Sequence, residues 1–139
     1  MKKYYWIIFT SLFSCTSNFD LKEGDLLFQD LDSSPLCDAI ELVTPGYKGA
    51  NLSHIGIVIY DEDELKILEA IPPSVVLTDI NSFLNRSFDK NGEQKVIVGR
   101  LKEKYRKSMS DAINFMRKKI GSKYDNEFLI NNNSYYCSE

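Results

Sequence analysis

The sequence predicts an α+β domain, an antiparallel sheet packed against helices. Two stretches carry that prediction. Ile55–Tyr60 and Leu65–Ile71 are β-rich runs separated by the four acidic residues Asp61–Glu64, the pattern of a β-hairpin. Over 103–120, Tyr105, Met109, Ala112, Ile113, Met116 and Ile120 follow the three-four spacing of an amphipathic helix. With 139 residues the chain makes at most one domain.

Residues 1–14 read as a secretory signal: Lys2 and Lys3, then a mostly apolar run too short to span a bilayer. Leu12-Phe13-Ser14-Cys15 is similar to the lipobox of bacterial lipoproteins, which implies cleavage before Cys15 and its acylation. Several acyl chains make a durable anchor. The expectation is a cell-envelope protein on the outer membrane or its periplasmic face, with residues 15–23 as a polar tether and 24–139 as the domain. Without the first fourteen residues, 15 basic face 20 acidic residues, and no basic cluster supports nucleic-acid binding.

Within the domain, Leu26–Gln29 fits a first strand. Ser34-Pro35 then starts a helix, a capping serine followed by proline at the first helical position. Leu36, Ala39, Ile40 and Val43 form its expected apolar stripe, and Thr44-Pro45-Gly46 stops it. Cys37 lies near that stripe as a small core residue. After the hairpin, Pro72-Pro73 ends the second strand, 74–78 forms another, and Thr78 caps a brief helix through Leu84. Asn91-Gly92 marks a turn, and 95–101 alternates as a strand with Val96 and Val98 on one face. Lys118, Lys119 and Gly121 close the long helix.

Candidate chemistry centres on His54, the only histidine, just before the apolar run of the hairpin. If Tyr60 pairs with Leu65, paired residue numbers sum to about 125, and His54 and Glu69 share a face as diagonal neighbours. A one-residue slip would separate them. A carboxylate that orients an imidazole is half of a nucleophile-activating apparatus. Cys137 is the candidate nucleophile; a free thiol has a pKa near 8.5 and needs activation. Three cysteines and one histidine supply a four-ligand zinc site only if all converge, so neither metal nor cofactor is expected.

Read in order, Gly24-Asp25-Leu26-Leu27-Phe28, Ala39-Ile40 with Val43-Thr44, Ser53-His54-Ile55-Gly56-Ile57-Val58, Leu68-Glu69-Ala70, Tyr124-Asp125 and Tyr136-Cys137-Ser138-Glu139 resemble the permuted papain-like amidases of the YiiX/YaeF type, a branch of the NlpC-like cysteine peptidase superfamily. In that branch the histidine hairpin precedes the cysteine, as here. The resemblance implies a permuted papain-like fold and a cysteine hydrolase that cleaves an amide through a thioester. Cys137 would be nucleophile, His54 general base and Glu69 the residue fixing the imidazole. The Cys137 backbone N–H would be an oxyanion donor, with Tyr136 and Tyr124 lining the pocket. Expected partners are a peptide (cell-wall peptide included) or other amide, and the membrane through the lipid anchor. The family continues past the cysteine through a helix, so the domain is expected to be incomplete at its C-terminus. The competing expectation is a non-catalytic envelope lipoprotein that binds peptide or lipid in the same cleft.

Overall fold

The computed structural model describes residues 19–130 and 132–139; Cys15 and the expected signal segment lie outside them. Five strands form one antiparallel sheet: β1 (Leu26–Gln29), β2 (His54–Asp61), β3 (Glu64–Ile71), β4 (Ser74–Asp79) and β5 (Val96–Gly99), in spatial order β4-β3-β2-β1-β5. Tyr60 pairs with Leu65 and Asp61 with Glu64, the register that places His54 and Glu69 on one face. Aliphatic residues on both sides of β2 and β3 make both faces of the hairpin apolar. Each face therefore seeds a core.

On one face Ile57, Ile59, Leu68, Ala70 and Val75 pack with Ile113 and Tyr124, flanked by Met109 and Met116. On the other, Leu27, Val58, Ile67 and Phe83 pack together, with Val96 and Val98 against them as the alternation in β5 requires. Gly56 sits between these layers for a steric reason. A Cβ there would lie 2.4 Å from Ile67 Cγ2 and 3.0 Å from Phe83 Cε2.

The first helix, α1 (Pro35–Val43), starts where expected: Ser34 is its N-cap and accepts from the Cys37 N–H. Its inward side is not the expected stripe. Cys37 is buried and Ile40 and Glu41 are half-buried, so of the expected stripe only Ile40 turns inward, while Leu36, Ala39 and Val43 are exposed. Spacing defines a stripe on a helix but not which neighbour meets it. Cys37 lies outside both apolar clusters, its sulfur 3.5 and 3.4 Å from the hydroxyls of Ser33 and Ser34. These hydroxyls and nearby backbone N–H groups outweigh burial and hold its thiol below the ordinary range.

The second helix, α2 (Ile80–Leu84), is capped by Asp79, which accepts from the Ser82 N–H at 3.0 Å; Thr78, the expected cap, belongs to β4. The long helix expected over 103–120 is two pieces, α3 (Glu103–Arg106) and α4 (Met109–Arg117). Only α4 buries a side chain, Ile113. A four-residue turn that buries nothing gains little from tertiary contact and is not held collinear with its neighbour. Gly121, at φ +83°, carries the chain out of the final turn and donates to Val75 O at 2.9 Å. Within the expected tether, Leu21 packs on the second core and Glu23 accepts from the Tyr60 N–H at 3.2 Å, so contact with the sheet begins before Gly24.

Candidate active site

His54 opens β2, and Glu69 lies near the end of β3; both are almost fully buried. His54 Nε2 and Glu69 Oε2 are 2.6 Å apart. Two residues not anticipated from sequence complete this cluster. Thr78 Oγ1 donates to Glu69 Oε1 from the neighbouring strand β4. Arg86, just beyond α2, places Nη2 2.8 Å from Oε1 and 2.7 Å from Oε2. Its guanidinium stacks over Phe83, 4.8 Å from the ring centroid, and the Phe83 ring lies 5.9 Å from the imidazole. Burial alone would raise the Glu69 pKa; hydrogen bonds from His54, Thr78 and Arg86 outweigh it and hold the carboxyl below its ordinary value.

An ionised Glu69 can only accept hydrogen bonds, so the proton it shares with the imidazole sits on Nε2. That leaves Nδ1 as the basic ring atom. Gln29, the cross-strand partner of His54, is fully buried and donates through Nε2 to Phe83 O at 2.7 Å. Its Oε1 has no partner among the described residues. Glu69 was legible from the hairpin register. Arg86 and Gln29 carry no motif, and only the packing of α2 and β1 brings them here.

Cys137 reaches the same region through the chain's last segment. Tyr135 donates to Lys123 O and accepts from Asp125 N, both at 3.0 Å. The buried Asp125 carboxylate accepts from Glu127 N at 2.9 Å and Leu129 N at 2.8 Å, which fixes the intervening loop. The Cys137 thiol then lies beside the backbone N–H of Ile55, one residue from His54. Burial pushes this thiol up, partly offset by the N–H groups of Ile55 and of Cys137 itself.

His54 and Cys137 both line one cavity of about 390 Å³, together with Phe28, Ile40, Leu52, Phe128 and Tyr136. Cys137 also touches a second cavity of about 380 Å³ between the sheet and α4, which His54 does not reach. Tyr136 lines both, its ring 5.4 Å from that of Phe128. Tyr124 packs in the apolar cluster beneath β2 and β3 and lines neither cavity, with its phenol within electrostatic range of the Cys137 thiol; burial first, then that neighbour, raises its pKa.

Comparison with known proteins identifies the family and the fold. Residues 20–139 match the family described as permuted papain-like amidase enzyme, YaeF/YiiX, C92 family. The chain belongs to this family. Among solved structures, the crystal structure of YiiX from Escherichia coli O157:H7 shares the fold with a TM-score of 0.64 and 23% identity. The similarity covers 84% of this chain and 60% of YiiX, so the chain spans about three-fifths of that protein's length. No curated protein matches.

That YiiX structure is described as a metalloprotein. Among the described residues here, oxygens of Asp30, Asp32 and Glu41 lie within 4.8 Å of one another. The Lys95 ammonium already pairs with Asp30 at 2.9 Å and Asp32 at 2.6 Å. The chain thus supplies its own cation there, and this trio does not suit a resident metal.

Proposed function

We propose that this protein is a cysteine amidase in which Cys137 is the nucleophile, His54 the base and Glu69 the residue that orients the base. The observation that carries this reading is one cavity lined by both Cys137 and His54, with the imidazole held by Glu69 at 2.6 Å. Nδ1 of His54 takes the thiol proton. The sulfur attacks the carbonyl carbon of the substrate amide, and the Cys137 N–H supports the developing oxyanion. Collapse breaks the C–N bond as the imidazolium returns the proton to the leaving amine. Water, deprotonated by His54, then cleaves the thioester, and the thiol is restored.

The test is hydrolysis of a panel of amides and esters by the parent, Cys137→Ala and His54→Ala. Loss of turnover in both variants is the expected result; variants that hydrolyse the panel as well as the parent defeat the assignment. The raised thiol pKa favours a second reading, a non-catalytic module that binds peptide or lipid in this cavity. That module would keep a thiol of ordinary or low reactivity. Alkylation rate against pH separates the two, because an imidazole-assisted thiol reacts well below its own pKa.

We further propose an envelope location through acylation of Cys15. It predicts incorporation of labelled fatty acid that Cys15→Ser abolishes; label retained in the variant would refute it.

A further inference from the structure

Gln29 is the last residue of β1, paired with His54 on one side and Val96 on the other. Paired residues turn their side chains to the same face, with Cβ atoms about 4.5–5.5 Å apart, so the amide lies in the layer that holds the imidazole. That layer is otherwise carbon: Leu27, Val58, Ile67 and Phe83, with Val96 and Val98 against them. Gln29 is 0% exposed within it, yet its amide is only half used. Nε2 donates to Phe83 O at 2.7 Å, and Oε1 has no partner among the described residues.

Stability does not account for this amide. A buried carbonyl without a donor is unfavourable, and an apolar side chain of the same length would remove it. Phe83 O would not be stranded by that change, because the Arg86 N–H also reaches it at 3.3 Å. What the amide secures is position. Phe83 and Arg86 both leave the turn that Gln29 holds. The Phe83 ring stands 5.9 Å from the imidazole. The Arg86 guanidinium lies 4.8 Å over that ring and grips Glu69 Oε1 and Oε2 at 2.8 and 2.7 Å. Glu69 in turn holds His54 Nε2 at 2.6 Å. One hydrogen bond therefore ties the strand beside His54 to every group that sets the place of its ring. Gln29 itself lines neither cavity and makes no contact with a molecule bound there.

We propose that Gln29 is a positioning residue for the His54 base: its amide N–H fixes the turn carrying Phe83 and Arg86 and, through these and Glu69, aims the imidazole at the Cys137 thiol. This rests on the cysteine-amidase reading above. Because Gln29 acts through other side chains, its loss leaves substrate binding alone and slows the steps in which His54 moves a proton. The experiment is Gln29→Met in the full chain, which keeps the length of the side chain and removes the donor. On an amide that the parent hydrolyses, kcat should fall about tenfold or more, toward the roughly hundredfold that a misplacement of about 1 Å can cost, with KM within about twofold. The thermal midpoint should stay within about 2 °C of the parent's or rise, because the unpartnered carbonyl leaves with the amide. An unchanged kcat overturns the proposal, whatever the midpoint does.

Alkylation of Cys137 by iodoacetamide at pH 7, followed by peptide mass, decides without turnover. A misplaced imidazole slows this reaction severalfold, whereas a merely loosened fold speeds it by opening the half-buried thiol. Slower alkylation in Gln29→Met supports the positioning role; an equal or faster rate overturns it. His54→Ala measured alongside keeps the two readings apart. If His54→Ala slows alkylation and Gln29→Met does not, the positioning role falls and the amidase reading stands. If His54→Ala leaves the rate unchanged, the thiol has no base, and the amidase reading falls with the positioning role.

Discussion

Arg86→Ala isolates the electrostatic support of the candidate site. The guanidinium bridges both oxygens of Glu69, whose side chain is 0% exposed, while that of Arg86 is 27% exposed. A hydrogen bond to a charged group contributes about 1.5–3 kcal/mol, and removing one partner of a buried pair costs about 3–5 kcal/mol. The partial exposure of Arg86 and the remaining bonds from His54 and Thr78 argue for the lower part of that range, about 3 kcal/mol. With a urea m-value of about 2 kcal/mol/M for a domain of this size, the midpoint should fall by about 1.5 M. The comparison needs the Glu69→Gln and Arg86→Ala/Glu69→Gln variants as well. If the two charges support one another, the double variant loses less than the sum of the singles by more than about 1 kcal/mol. A midpoint shift under about 0.3 M for Arg86→Ala, or strictly additive losses, would refute the argument that Arg86 neutralises a buried Glu69.

Acid should act on the same cluster. Glu69 titrates below its ordinary value of 4.5, so its stabilising contribution is complete above that value and is lost as pH falls through the lower folded-state pKa. Asp25, buried and bound by Arg100 through two contacts of 2.6 Å, behaves the same way below 3.8 because those bonds outweigh its burial. Unfolding followed by circular dichroism from pH 6 to 2 should show stability falling below about pH 4.5, less steeply in Asp25→Asn; identical profiles would contradict the account. Gly56→Ala should destabilise by about 1–3 kcal/mol, because the new methyl meets Ile67 and Phe83 in a filled layer. Thermal melting checks it, and an unchanged midpoint would mean the layer yields freely. Asp125→Ala removes the acceptor that fixes the loop ahead of Cys137 and should speed alkylation of the thiol severalfold while the sheet's amide-exchange protection persists. Unaltered alkylation would show that Tyr135 pairing alone positions the sulfur.

The β2–β3 hairpin was legible residue by residue, and with it the meeting of His54 and Glu69. Period-two alternation and a short charged loop leave one register that keeps both apolar faces covered. The cap at Ser34 and the stop at Thr44-Pro45-Gly46 were local too, settled by proline and by one side-chain acceptor. The inward face of α1 and the break between α3 and α4 were not legible. Each depends on which neighbour a stripe meets, and the stripe looks the same whether or not a partner is there.

The site divides along the same line. Local sequence determined the imidazole–carboxylate pair, because two strands in a fixed register bring it together without reference to the rest of the molecule. Only the tertiary structure decided that Arg86 and Thr78 hold Glu69 ionised, that Tyr124 belongs to the core, and that Cys137 lies beside Ile55 rather than elsewhere. Those contacts join segments from separate parts of the chain, and their geometry follows from packing two apolar faces at once. No spacing along the sequence encodes it.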